Sequence, residues 1–367
     1  MKTEVVAAIN DRRSWYRHPA DRSGLESRVT AAAVELLRKG EVVALPTETV
    51  YGLAADALDP VAVTKVFEAK ERPRFDPLIV HLPDQKWLER VAKVDSFSRA
   101  QIEKLIVHFW PGPLTLVLNR QPIIPDIVTA GLETVAVRIS SHPVFAEVIS
   151  AFGKPLAAPS ANRFGRISPT TAQHVLDELS GRIPLIIDAG PTAHGIESTI
   201  IAVRDDKIGI LRRGPITAEQ LRGIGFQPMS NRRDADATGV LAPGQLSSHY
   251  APKTRLRLID NAESFASKQA KRVGLLAWNP LSRKGDLQIA PALTDRRSLK
   301  FVAVRQLSEH QDLREAAANL FRCLRELDEL NLDLIVAERV PARGLGAAIL
   351  DRLERASHDS DIRDKPE

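Results

Sequence analysis

The sequence predicts an α/β fold: a larger N-terminal domain on a twisted mixed sheet, followed by a smaller Rossmann-like α/β domain. Three observations lead there. Short apolar runs alternate with amphipathic helical stretches from residue 28 to 222. Periodicity is then lost over 223–253, where Gly, Pro, Asn, Asp and Ser dominate a segment too long for an ordinary connection. After Lys253 the βα alternation restarts, as expected of a small parallel sheet. The chain therefore divides into an arm (1–27), a first α/β domain (28–222), a linker or lid (223–253), a second α/β domain (254–356) and a tail (357–367).

Residues 1–24 are polar and aperiodic, with Arg12, Arg13, Trp15, Tyr16, Arg17 and Arg22. They read as a mobile arm or as residues ahead of the true start. Val29, Ala32, Ala33, Leu36 and Leu37 form one helix face, ended by Gly40. The strand Val42 to Leu45 stops at Pro46, and Thr47, Glu48 and Thr49 follow, with Tyr51 and Gly52 behind them. That is a polar loop at the carboxyl end of a strand, where open α/β sheets place ligands. Asp59-Pro60 caps and starts a helix with Val63, Val66 and Phe67 on one face. Lys70 and Arg72 arrive where it ends, and Pro73 stops it. Two cations on such a turn suit an anion better than a core. The strand Leu78 to Leu82 carries His81 on the face opposite Leu78 and Val80.

A helix over 97–108 leads to the rigid turn Trp110-Pro111-Gly112-Pro113 and the strand 114–118. Thr134 precedes the strand 135–139, which contains Arg138. A charge within a strand is costly unless paired, so Arg138 lies on a wet face or holds an anion. After a helix over 143–152, the strand 156–158 runs into Pro159, Ser160, Ala161 and Asn162. Ser160 and Asn162 point the same way if that segment is extended. Arg166-Ile167-Ser168-Pro169, a helix over 171–180 and a strand over 185–188 follow. Glu197 and Ser198 open the strand 199–203, and the strand 208–211 ends at Arg212-Arg213-Gly214-Pro215. In the second domain the pattern predicts strands 256–259, 273–277, 301–304 and 333–337, and helices 262–271, 312–330 and 345–356. Ser357 to Glu367 is charged and reads as disordered. Singly, each polar residue of the first half fits a solvated helix end or a half-buried side chain. Together on one sheet edge they point to a site.

Composition fits an ordinary globular protein: 367 residues, 44% hydrophobic and 26% charged. The single cysteine, Cys323, excludes an internal disulfide and a cysteine-based zinc site, and fits a reducing, cytoplasmic setting. No apolar run approaches the ~20 residues of a membrane span, and the N-terminus lacks the apolar core of a signal peptide. The net charge of +5 and pI of about 9.3 suit solubility, ATP or an RNA neighbour alike. GxxxxGK[ST] is absent, and Gly344-Leu345-Gly346 lacks the third glycine of GxGxxG, so the common nucleotide scaffolds do not apply.

In order along the chain stand PTETVYGLAADA, Lys-Glu-Arg-Pro, PLIVH, FWPGPLTLVL, TVAVRI, AAPSAN, IESTI and a final ILR before Gly-Pro. This series resembles the YrdC-type threonylcarbamoyl-adenylate synthases, closely over 28–222 and onward through SSHYAP (Ser247 to Pro252). The resemblance is to the long form, a YrdC-like domain with a linker and an extra C-terminal domain. It implies an adenylation: threonine and bicarbonate form a carbamate, which attacks the α-phosphate of ATP and expels pyrophosphate, with Mg²⁺ bridging the phosphates. The product serves a tRNA threonylcarbamoyl transferase complex that modifies adenosine in tRNA. Carried over, the threonine pocket is Thr49, His81, Arg138, the backbone at Ala158, and Ser198. The ATP side is Lys70, Arg72, Thr134, Ser160, Asn162, Ser168 and Arg212, with Lys70, Arg72, Ser160 and Asn162 nearest the chemistry and Tyr250 closing over the nucleotide. No metal ligand follows from the resemblance. Two departures stand out: Asp76 where many members have asparagine, and Arg213 where they have proline. The alternative class is an RNA-binding module using the same basic concave surface, with weak tRNA or RNA binding. At 5% aromatic residues, without interleaving of aromatics and cations, the sequence argues against it.

Overall fold

The computed structural model describes residues 1–8, 25–204, 207–229, 250–265, 270–280 and 301–363. The chain forms two compact units, one of residues 1–164 and 168–245, the other of residues 165–167 and 246–367.

The first unit runs β1 (Glu4–Ala7), α1 (Leu25–Arg38), β2 (Val43–Leu45), β3 (Gly52–Asp56), α2 (Pro60–Lys70), β4 (Ile79–His81), α3 (Leu88–Val91), β5 (Ala92–Lys93), α4 (Arg99–Phe109), β6 (Leu114–Arg120), α5 (Asp126–Thr129), β7 (Thr134–Arg138), α6 (Pro143–Phe152), β8 (Leu156–Ala157), α7 (Ala172–Leu179), β9 (Leu185–Asp188), β10 (Thr199–Arg204), β11 (Lys207–Arg212) and α8 (Ala218–Gly223). Among the described residues the strands form one mixed sheet in the order β1-β9-β2-β3-β8-β4-β7-β6-β10-β11, with β5 on β6. Strand alternation divides the core between its two faces. Val42 and Ala44 join Val63, Val66, Phe67, Ile102 and Leu105 on one side. Val43 and Leu45 join Val29, Ala33, Leu37, Phe145 and Ile149 on the other. Asp59 caps α2 by accepting from the Val61 amide at 2.9 Å, with Pro60 in the first turn. Glu71 ends that helix in the left-handed region at φ 53°. Gly214 sits where a Cβ would lie 2.5 Å from both the Glu197 carbonyl oxygen and the Thr199 nitrogen, so only glycine lets the chain pass the start of β10.

The second unit carries β12 (Leu256–Ile259), β13 (Val273–Ala277), β14 (Ala303–Gln306), α9 (Leu313–Asp328), β15 (Leu334–Glu338) and α10 (Gly346–Arg363). Among the described residues it has four strands, all parallel, in the order β12-β15-β13-β14. Both α/β domains of the sequence reading are present.

Several expectations need correction. Part of the arm is structured: Glu4–Ala7 extends the sheet as a parallel edge strand on β9, too short a run for a period to show. Residues 9–24 lie outside the described residues. The helix expected over 262–271 begins as a single 3₁₀ turn, Ala262–Ser264, after which Phe265 adopts an extended backbone and stacks on Phe301 at 6.2 Å, and residues 266–269 lie outside the described residues. The tail read as disordered continues α10 to Arg363. Of the linker, Phe226 is buried in the first unit's core and the Met229 amide donates to the Ile208 carbonyl at 3.0 Å. Residues 230–249, including Ser247 to His249 of the lid motif, lie outside the described residues. The strand β3 was not expected at all.

Candidate functional site

Two groups of buried charge form around the carboxyl ends of β2, β4 and β7. In the first, His81 on β4 stands in register with Arg138 on the parallel neighbour β7. Arg138 is buried and ion-paired through Nη2 to the Glu48 carboxylate. Its Nη1 donates to Thr49 Oγ1 at 3.2 Å, and its buried Nε has no hydrogen-bond partner. Glu48 also accepts from Ser140 Oγ. Thr47 braces the loop: its hydroxyl pairs with Thr49 Oγ1 at 2.8 Å, donates to the Val50 carbonyl and accepts from two backbone amides. The turn after Pro46 is thus built from hydroxyls satisfying amides.

Burial pushes the Glu48 carboxyl up, but Arg138, Ser140 and its own amide outweigh that and hold it below the usual carboxylate range. Burial, with Arg138 beside it, holds His81 well below the usual histidine value, so the ring is neutral. That ring hydrogen-bonds the Ala158 backbone, packs on Phe145 at 4.6 Å, and keeps a buried Nδ1 without a partner. His142 is pushed down to about 4 and His194 is lowered, both chiefly by burial, with Glu48 opposing.

The second group centres on Lys70, Arg72 and Asp76. The sequence reading put both cations on an open turn. The structure corrects this: Lys70 is 1% and Arg72 8% exposed. Lys70 Nζ donates to the Ser160 and Asn162 carbonyls. Arg72 pairs with the Asp76 carboxylate at 2.8 Å and donates to the Asp76 and Pro77 carbonyls. Lys70, Arg72 and Arg212 all act on Asp76, whose carboxyl burial nevertheless pushes up. Burial and the neighbouring Arg72 lower Lys70 well below the usual lysine value, against Asp76 and Glu178. Arg212 Nε and Nη2 donate to the Ser198 carbonyl at 3.0 Å and Oγ at 2.9 Å, and Ser198 Oγ also meets Thr115 Oγ1 at 2.8 Å.

The segment Ala158–Asn162 joins the groups, meeting His81 at one end and Lys70 at the other. Thr49, His81, Arg138 and Ala158 therefore come together, as do Lys70, Arg72, Ser160, Asn162, Ser198 and Arg212. Ser168 is buried with its hydroxyl donating to Glu197. Thr134 begins β7, roughly 13 Å along the strand from Arg138, and is not drawn into either group. Tyr250 belongs to the second unit, at φ 65°, buried and stacked on Phe321 at 5.6 Å with Arg352 over its ring at 5.1 Å. Ser140 and Thr115 are site neighbours the sequence reading did not name, and Glu48 and Asp76 were named there without a partner or a role. The signal for Glu48 was available, since a carboxylate among buried strand ends needs a cation. Among the described residues no group of three or more His, Cys, Asp or Glu side chains is placed to hold a metal ion, and no helix is long and apolar enough to cross a membrane.

Comparison with known proteins gives a consistent result. The Sua5/YciO/YrdC family profile, described as "Telomere recombination", matches residues 35–214. The profile "Threonylcarbamoyl-AMP synthase, C-terminal domain" matches 216–358. A threonylcarbamoyl-AMP synthase of Bacillus subtilis is 37% identical over 95% of this chain and 99% of its own length. One of Pyrococcus abyssi is 36% identical over 92% and 96%. The crystal structure of Pyrococcus abyssi Sua5 complexed with L-threonine superposes with a TM-score of 0.77 at 33% identity, covering 97% of this chain and 98% of that one.

Proposed function

The chain belongs to the threonylcarbamoyl-AMP synthase family in its two-domain form, an enzyme of nucleotidyltransferase type, and from that premise we propose that it converts L-threonine, bicarbonate and MgATP into threonylcarbamoyl-AMP and pyrophosphate. The observation that carries the reading is the buried Arg138 fork, continuous through Ala158–Asn162 with the cations Lys70, Arg72 and Arg212. Only a guanidinium offers a carboxylate two parallel hydrogen bonds, so Arg138 holds the threonine carboxylate. Thr49 and Ser198 offer hydroxyls to the rest of the amino acid. Neutral His81 presents an acceptor without bringing a second positive charge.

Threonine's free amine attacks bicarbonate carbon, a C–N bond forms, and the hydroxyl leaves as water. A carbamate oxygen then attacks the α-phosphorus, and the bond to pyrophosphate breaks. Neither step needs a protein nucleophile. Positioning and charge neutralisation do the work, with Lys70, Arg72 and Arg212 facing the phosphates and Ser160, Asn162 and Ser168 completing the ATP side, while Thr134 at the far end of β7 is left out of it. Mg²⁺ enters with the nucleotide. The product is an activated acyl adenylate for a tRNA threonylcarbamoyl transferase complex making N6-threonylcarbamoyladenosine, in a cytoplasmic setting.

Pyrophosphate release, measured with threonine, bicarbonate and ATP each omitted in turn, tests this reading. Release only when all three are present is expected. Release that continues without threonine contradicts it.

A further inference from the structure

Arg138 is the fork expected to take the substrate carboxylate, yet its Nη2 already holds a carboxylate from the chain itself, Glu48. The Nε on the same edge of the guanidinium is buried and without a hydrogen-bond partner. A carboxylate forks onto a guanidinium either side-on through Nε and Nη2 or end-on through Nη1 and Nη2; both modes use Nη2, so an incoming carboxylate competes with Glu48 for it. Resting on the proposed reading, we infer that Glu48 is a stand-in for the substrate carboxylate which, once displaced from Arg138, becomes the base that takes a proton from the threonine ammonium.

The chemistry requires such a group. Bicarbonate is attacked by an amine with a free electron pair, and threonine arrives as an ammonium ion. One proton must leave nitrogen before the C–N bond forms. It passes to Glu48 Oε, the neutral amine adds to bicarbonate carbon, and the hydroxyl departs with the second amine proton as water. Glu48 returns its proton to solvent in the next cycle. The surroundings set the timing. While Arg138 and Ser140 hold Glu48, its carboxylate is a poor base. Without Arg138 the burial that already pushes it up remains, and the carboxylate becomes basic where the ammonium lies. The other titratable groups facing Glu48 are His142 and His194, both held in the neutral form chiefly by burial, so neither competes by bringing charge. The swap thus ties activation of the base to arrival of the right substrate.

Glu48→Gln separates this role from scaffolding, provided the unaltered protein first makes the threonylcarbamoyl-AMP product. Glutamine keeps the shape and cannot take the proton. Turnover should fall by about 10²- to 10⁴-fold, while threonine affinity by calorimetry is unchanged or tighter, the fork being uncontested. The residual rate should climb with pH as free amine accumulates in solution, a rise steeper than that of the unaltered protein. Turnover within a few-fold of normal, a loss lying wholly in threonine affinity, or a pH profile parallel to the original overturns the proposal. Should E48Q not fold, infrared difference spectroscopy on the unaltered protein decides. Threonine added without bicarbonate should produce a protonated-carboxyl band, and a spectrum without that band overturns the proposal. If the unaltered protein makes no product, the reading of function fails instead, and the two failures are distinct.

Discussion

The site contains two buried arginine–carboxylate pairs that look alike by composition and differ in design. Arg72 and Asp76 are four residues apart, and Arg72 also donates to the Asp76 and Pro77 carbonyls. Its guanidinium is wrapped by its own turn and cannot let go without unmaking the chain path after α2. Arg138 and Glu48 come from β7 and the loop after β2, 90 residues apart in sequence. The Arg138 guanidinium bonds to side chains, Thr49 and Glu48, and keeps Nε unpartnered. A local pair with backbone anchors fixes its cation in one place. A long-range pair of side chains with a spare donor is one that a ligand can enter.

The comparison can be broken most forcefully at Asp76. Removing one partner of a buried pair leaves the other charge uncompensated, at about 3–5 kcal/mol. Asp76→Ala should therefore lower the denaturation midpoint sharply, and a midpoint within experimental error of the original would show that the turn does not depend on the pair. Lys70→Ala belongs to the same class, since Lys70 is buried and tethers the Ser160–Asn162 carbonyls. Stability should fall together with turnover.

Arg138→Lys probes the other pair. Charge is kept and the fork lost, so threonine affinity should weaken by about 1–3 kcal/mol, the range of a charged hydrogen bond. Stability should move less than in the Asp76 variant. Calorimetric titration and a denaturation curve on the same sample check both halves.

Acid should act mainly through the Arg138–Glu48 region. His81, His142 and His194 all have values lowered by folding. The unfolded chain therefore binds more protons below about pH 6.5, the ordinary histidine value. Stability is full above that pH and is lost as pH falls toward about 4, the His142 value. Glu48, also lowered, adds to the loss at the acid end, while Asp76, raised by burial, works in the opposite direction. Melting temperature measured across this range should fall with acid, and less steeply in His142→Gln. The smallest effect belongs to the exposed Glu35–Lys39 pair on α1. Lys39→Ala should leave both stability and turnover unchanged.

Most of the fold was legible because its signals are local. The Asp59-Pro60 cap, the apolar face of α2 and the buried run before Pro46 each announce an element without reference to anything distant. The misses were elements whose reasons lie elsewhere in the chain. β1 exists because β9 offers an edge, and Gly52–Asp56 is a strand because β2 and β8 flank it. At the site, Arg138 was read as a strand charge needing an anion, and Glu48 as one polar residue in a loop. The sequence presented two unexplained charges, and the fold makes each the explanation of the other. Side-chain pairing across 90 residues leaves no spacing to read. The same holds for Thr115 beneath Ser198.

The most direct test of the account is product identity. The protein is incubated with threonine, MgATP and isotope-labelled bicarbonate, and the mixture is analysed by mass spectrometry. The account predicts a threonine–adenylate adduct carrying the label in its carbamoyl carbon, absent when threonine is left out. An adduct without the label, or ATP consumed with no adduct formed, would contradict it.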